Sequence, residues 1–223
     1  MVGALTKIMD IKGLKQHLTP FINLIKDSGV EYFWIAGGAI RDYFVTGGTT
    51  PKDIDIWFPD IESRNAVIKY LKLCEFKSKK LLPRDRGETF SLIKKSVPEK
   101  YIHLAKGSKY SYHLMDIGTW DGLSGECHTL TKTPQECIDK FAYTIEMGAL
   151  DSSYNFICHP DYEHHISKNI LVIKAKQDSF PRADNRRLLK YIDDGFTIDQ
   201  ENLLLWLENQ EASFEYRRRL KNK

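Results

Sequence analysis

The sequence has no Cys-x-x-Cys pair, no long apolar run, no internal repeat and little net charge. Its four cysteines, Cys74, Cys127, Cys137 and Cys158, are scattered along 223 residues. That spacing suits neither a disulfide framework nor a common structural zinc site. Cys158-His159 and His164-His165 bring metal-capable side chains close together, but without a second cysteine at ligand spacing they read as surface loop residues. No apolar stretch approaches the roughly 18–20 residues of a membrane span. Met1 to Met9 lacks the basic start, apolar middle and small-residue cleavage site of a secretory signal. A cytoplasmic protein without a membrane partner is expected. A net charge of +3 does not by itself specify a nucleic-acid partner.

Hydrophobic residues make up 42% of the chain and charged residues 28%, the balance of an ordinary globular protein. The length allows one sizeable domain, or a catalytic domain with a small helical appendage. Basic residues concentrate between Lys72 and Lys109 and in the tail, at Arg217, Arg218, Arg219, Lys221 and Lys223. Such runs attract phosphate backbones, and equally often form a solvated surface.

Periodicity predicts a helix over Leu14 to Lys26 with a bend at Pro20, and a buried strand over Tyr32 to Ala36. A short helix over Ala39 to Val45 and an alternating strand over Asp53 to Phe58 follow. Ser63 is expected to cap a helix reaching Leu73, and strands are expected at Thr89–Lys94 and Tyr112–Thr119. Thr133, Pro134 and Glu136 carry a helix-start signature, predicting a helix to Leu150. Beyond Arg182 the pattern is helical only, over Ala183 to Ile192 and Asp199 to Asn209. Strands mixed with helices, then helices alone, predict an α+β catalytic domain over 1–177 and a helical extension with a basic tail over 178–223.

Two constellations carry chemistry. Gly37-Gly38-Ala39-Ile40-Arg41-Asp42 stands where a strand hands over to a helix. Glycines there let a backbone approach a ligand, and the helix N-terminus favours an anion. Arg41, on the first turn, adds a planar fork of donors for phosphate oxygens. By itself a Gly-Gly turn is as readily an ordinary connection. Asp53-Ile54-Asp55 puts two carboxylates on one strand face, opposite Ile54, Ile56 and Phe58. At ~5 Å and an effective dielectric of ~20, two such charges repel by about 3 kcal/mol. A divalent cation relieves that repulsion, and Mg²⁺ suits a few carboxylate oxygens with phosphates and waters. Asp116, on the strand expected around Tyr112–Thr119, is a candidate third carboxylate; otherwise it is a surface residue at a strand end.

Taken together, Trp34 to Phe44 with its Gly-Gly and Arg-Asp, then Gly47, then Pro51 to Ile56 with its Asp-x-Asp, resembles the head motif of class II tRNA CCA-adding enzymes and bacterial poly(A) polymerases. This is a branch of the polymerase-β-like nucleotidyltransferases. The resemblance implies a mixed sheet flanked by helices, two Mg²⁺ ions at Asp53 and Asp55, and an NTP, ATP and/or CTP, as substrate. Met115 to Trp120 resembles the family strand that carries a further acidic residue, here Asp116. Tyr143-Thr144-Ile145-Glu146 looks like the family's Phe-Thr-Ile-Asn segment near the nucleotide sugar, with Glu146 in place of Asn. Asp184 to Lys190 is similar to the neck helix that reads the incoming base, which implies base contacts from Asp184 and Arg187, with Lys190 standing in for a second Arg. Asp184 and Arg187 at i and i+3 share a helix face, as they also would in a surface ion pair.

The activity so implied is transfer of a nucleoside monophosphate from an NTP to an RNA 3′ hydroxyl, most plausibly of tRNA, with release of pyrophosphate. The family's larger members continue into helical domains that grip tRNA, and this chain is expected to lack them. A protein or small-molecule hydroxyl is the alternative acceptor. A nucleotide- or RNA-binding module without turnover is the reading from another class.

Overall fold

Among the described residues, seven strands form one mixed sheet in the order β3-β4-β5-β2-β1-β6-β7. They are β1 Trp34–Ala36, β2 Asp53–Trp57, β3 Lys77–Lys80, β4 Glu88–Ser91, β5 Ser111–Met115, β6 Gly148–Asp151 and β7 Phe156–Cys158. The structure is a computed structural model, and it describes residues 9–48, 53–74, 77–80, 88–91, 111–115, 131–174, 185–208 and 211. All neighbouring strands run antiparallel except β2 and β5, which are parallel and pair Asp53 with Ser111 and Asp55 with His113. The fold is α+β, a mixed sheet flanked by helices, as the sequence predicted.

The larger core lies on one face of the sheet. Ile35, Ile54, Ile56 and Leu150 point into it and meet Leu18 and Ile22 of α1 (Ile11–Lys26), Ile40 and Phe44 of α2 (Gly38–Thr46), and Val67 and Leu71 of α3 (Ile61–Leu73). A smaller cluster on the other face joins Trp34, Ala36 and Ala149 to Cys137, Ile138 and Met147, with Trp57 and Phe141 packed against it. The strands alternate between these two faces, as the period of two requires.

Several local expectations are corrected. Helix α1 continues through Pro20 and begins earlier than expected, capped by Asp10, whose carboxylate accepts from the Gly13 amide at 2.8 Å. Asp60, not Ser63, caps α3, because the Asp60 carboxylate reaches the Ser63 amide at 2.6 Å. Strand β3 was read only as part of the basic stretch. The helix starting at Pro134 ends at Ile138 rather than Leu150. Its start signature is real: the Thr133 hydroxyl accepts from the Glu136 amide, and the Glu136 carboxylate accepts from the Lys132 amide. A short 3₁₀ turn at Thr144–Glu146 and then β6 follow, because β6 pairs with the edge of β1. Sheet pairing over a long sequence separation here overrides local helix preference.

The helix Asn185–Asp193 and a further helix over 200–208 stand where a helical extension was expected. Leu188, Tyr191 and Phe196 belong to the same core cluster as the sheet. The Ile173 amide donates to Asn202 Oδ1 at 2.8 Å, and across the same seam the Leu171 amide donates to the Thr197 carbonyl and the Thr197 amide to the Asn169 carbonyl, each at 2.8 Å. The boundary expected near residue 178 falls outside the described residues. No described helix is long and apolar enough to cross a membrane.

Candidate active site

Register brings the two sequence constellations to one end of the sheet. β1 and β2 are antiparallel with Trp34 opposite Trp57 and Ile35 opposite Ile56. Continued by one residue, that register sets Ala36 opposite Asp55, so the glycine turn following Ala36 lies beside the start of β2. Asp55 is half-buried on the face opposite Ile54 and Ile56. It sits close enough to Cys137 to act on it: burial is the main force pushing the Cys137 thiol up to about 12, and the Asp55 charge adds to it. Asp53 is described through its backbone, one alternation earlier on β2. Asp116 lies outside the described residues. Hard carboxylate oxygens are the donors Mg²⁺ takes, and Asp55 supplies one such carboxylate, but among the described residues no group of three or more metal-capable side chains is gathered.

Gly37 holds φ 81° and ψ −130°, a conformation nearly closed to other residues. A Cβ there would stand 3.4 Å from the Phe141 ring tip. The Gly37 amide donates to the Gly148 carbonyl at 3.1 Å, pinning the turn to β6. Having no side chain, Gly37 caps α2 without occupying its N-terminus, which leaves the first amides to an anion or to solvent.

Arg41, expected to offer donors to phosphate oxygens, is engaged with partners inside the protein. It is 3% exposed, and its guanidinium turns toward the helix Asn185–Asp193. Nε and Nη2 donate to Asp42 Oδ1 at 2.9 and 2.5 Å, and Nη1 donates to the Tyr191 hydroxyl at 2.8 Å. The guanidinium also stacks over the Tyr191 ring, 4.6 Å from its centre. Burial alone would lower the Arg41 pKa, but Tyr191, Asp42 and Glu146 outweigh it and hold the value above the ordinary one. Gly38 keeps contact with this group, since a Cβ there would lie 3.8 Å from Arg41 Nη2.

Glu146 is the second centre of the cluster. It is 5% exposed. Its Oε1 accepts from the Tyr191 hydroxyl and from Arg187 Nη1 at 3.5 Å, and lies 3.8 Å from Arg41 Nη1. Its Oε2 is buried with no hydrogen-bond partner among the described residues. Burial raises the Tyr191 pKa, Glu146 raises it further, and Arg41 opposes both. Arg187, expected at the base edge, is thus drawn to Glu146, while its side chain remains 44% exposed. Lys190 is exposed, one turn on, with Nζ 6.0 Å from the Tyr191 ring. Asp184 lies outside the described residues. Sequence reasoning missed Tyr191; its phase with Leu188 marks a core-facing residue whose hydroxyl needs a buried partner.

A cavity of about 490 Å³ lies along α3, lined by Arg64, Asn65, Ile68, Lys69, Lys72 and Leu73. It shares no residue with the glycine turn or with β2.

Comparison with solved structures places the chain in a class. It is similar to the Bacillus stearothermophilus CCA-adding enzyme in complex with CTP, at 18% identity and a TM-score of 0.55, covering 83% of this chain and 42% of that one. A CCA-adding enzyme with CTP matches at 16% identity and TM-score 0.56, over 92% and 47% of the two chains. The Thermotoga maritima CCA-adding enzyme complexed with tRNA matches at 15% and 0.54, over 96% and 45%. At such identities the likeness establishes the fold, a nucleotidyltransferase-like one, and the chain spans less than half the length of these structures. No curated protein matches the chain in sequence. A family model, Gad2: Gabija anti-defense 2 family protein, matches residues 12–169. The chain therefore belongs to the Gabija anti-defense 2 family.

Proposed function

We propose that this chain is a metal-dependent nucleotidyltransferase that moves a nucleoside monophosphate from an NTP to an acceptor hydroxyl. One observation carries the reading: the β1–β2 register that sets Ala36 opposite Asp55 and so brings the Gly37-Gly38 turn beside the Asp-x-Asp strand. In the reaction the acceptor oxygen bonds to the α-phosphorus, its proton passes to solvent, the bond to the bridging oxygen breaks, and pyrophosphate leaves. The open N-terminus of α2 receives the triphosphate, with Gly37 and Gly38 allowing close approach. Asp53 and Asp55, with Asp116 as third carboxylate, would hold Mg²⁺, which would supply charge neutralisation and a more acidic acceptor hydroxyl. Arg41 and Asp42 brace the turn from behind, and the resemblance assigns Asp184, Arg187 and Lys190 to the base. Positioning and charge compensation carry most of such a transfer.

The acceptor on this reading is an RNA 3′ hydroxyl, supported by fold relatives that were solved with CTP and with tRNA. The family description favours a second acceptor. A protein that acts against a defence named Gabija has reason to modify a component of that defence, through a protein side-chain hydroxyl.

The test offers each α-labelled NTP, with Mg²⁺, to trimmed tRNA, to total RNA and to the Gabija proteins. Label in RNA supports the first acceptor, and label in protein the second. Asp53→Asn and Asp55→Asn should each lower incorporation by about 10³-fold or more, the scale of lost transition-state charge stabilisation, without shifting Tm by more than a few degrees. Wild-type protein that transfers label to nothing, or variants that transfer as well as wild type, would refute the proposal.

A further inference from the structure

We infer that Phe141 is a positioning residue, whose ring reaches from the Gly37-Gly38 turn to Trp57 and so fixes the turn relative to the Asp55 face of β2; this rests on the nucleotidyltransferase reading above. Phe141 lies outside every motif that pointed to a nucleotide, three residues beyond the helix Pro134–Ile138. A Cβ built on Gly37 would stand 3.4 Å from Phe141 Cζ and 3.8 and 3.9 Å from the two Cε atoms, and these are the three atoms nearest to that position. The ring therefore bounds the turn on the side where any other residue would project a side chain. The same ring meets the Trp57 ring edge to face, with 6.0 Å between centres and 72° between planes. Trp57 stands two residues beyond Asp55 on β2, hence on the same face. Ala36, set opposite Asp55 by the register, is buried in the cluster against which both rings pack.

The segment that carries the ring is braced from both sides. The Phe141 amide donates to the Ile138 carbonyl at 3.1 Å, and the Ala142 carbonyl accepts from the Lys174 amide at 2.9 Å. Lys174 Nζ donates to the Asp139 carbonyl at 2.9 Å. On its other side the turn is tied to β6 through the Gly37 amide and the Gly148 carbonyl. Gly37 has no side chain with which to anchor itself in the cluster, so a flat ring on a braced segment does it instead. In a close-packed contact of this kind a shift of the ring is passed to its neighbours. Transfer needs the phosphates on the turn and the groups gathered at Asp55 to meet in one geometry, and a misplacement of about 1 Å can cost 10²-fold in rate.

The experiment compares the full chain with Phe141→Ala and Phe141→Leu by three measurements, with Tm recorded for each. They are amide hydrogen exchange across Gly37 to Arg41 and across β6, the Kd for inorganic tripolyphosphate by equilibrium dialysis, and label transfer from α-labelled NTPs to the acceptor that takes label. Phe141→Ala should speed exchange at Gly37 to Arg41 about tenfold or more while β6 keeps its protection. It should lower kcat about 10²-fold and move the tripolyphosphate Kd by less than about threefold, since the amides of the α2 N-terminus remain. Phe141→Leu, which keeps apolar bulk but not the reach of the ring, should give the same pattern at about a tenth of the size in kcat, and it carries the comparison if Phe141→Ala folds poorly. A ring that only fills the core would lower Tm and speed exchange in β6 and the turn alike, with kcat of the folded protein unchanged. That result, or unaltered exchange at the turn, overturns this inference and leaves the nucleotidyltransferase reading standing. A wild-type chain that binds no tripolyphosphate and transfers no label overturns both.

Discussion

At Gly37 the backbone conformation, rather than space, disfavours another residue: φ is 81°, while a Cβ would make ordinary contact with the Phe141 ring at 3.4 Å. Gly37→Ala is expected to cost about 1–3 kcal/mol through backbone strain, read as a lower midpoint in urea, and to weaken triphosphate binding through the displaced turn. Gly148 is tighter still, since its Cβ would meet the Tyr162 ring at 2.8 Å. Gly148→Ala should destabilise by about 1–3 kcal/mol by overpacking, measurable by the same melt. Arg41 is the residue whose loss should hurt most. Arg41→Ala removes the buried partner of Asp42 and Glu146 and the group stacked on Tyr191, at about 3–5 kcal/mol. Chemical denaturation checks it, and a change under about 1 kcal/mol, the level of an exposed pair, would show that the cluster is not the anchor described.

Between elements, a histidine makes one joint sensitive to pH. His165 Nδ1 and the Thr144 hydroxyl lie 2.8 Å apart, joining the helix Tyr162–Lys168 to the 3₁₀ turn that carries Glu146. Burial lowers the His165 pKa below its ordinary 6.5, against a smaller opposing effect of Asp161. The unfolded chain therefore takes up the proton at higher pH than the folded one. Stability is complete above the ordinary histidine range and declines as pH falls through it toward the lowered folded value. His17, also lowered by burial, acts in the same sense. Melts between pH 7.5 and 5.5 should show Tm falling with acidification, and His165→Gln should flatten the slope; an unchanged slope would remove this joint from the account. The β6–β7 hairpin is fixed differently, by Asp151, whose carboxylate accepts from the Ser153 and Asn155 amides. That explains an acidic residue at this position without recourse to catalysis.

For the whole molecule, the helix Asn185–Asp193 and the segment after it share one core with the sheet, through Leu188, Tyr191 and Phe196. Calorimetry should give a single cooperative transition, and Phe196→Ala should lower the stability of the entire unit by about 3–5 kcal/mol. Two separate transitions, with only one moved by the substitution, would mean that the helices fold apart from the sheet. The glycine turn and the Asp-x-Asp strand were legible in the sequence, because they depend on neighbours a few residues apart, whereas the mixed sheet was implied by the family resemblance. Alternation set Asp55 opposite Ile54 and Ile56, and a Gly-Gly pair marked where β1 had to turn. Hidden from that reading were the strand at Gly148–Asp151, made by pairing with β1 across more than a hundred residues, and the partners of Arg41. Nothing local to Arg41 distinguishes a phosphate from Tyr191 and Glu146 as its acceptor. Only the folded chain brings those two side chains within reach, and burial there makes every donor find a partner inside the protein.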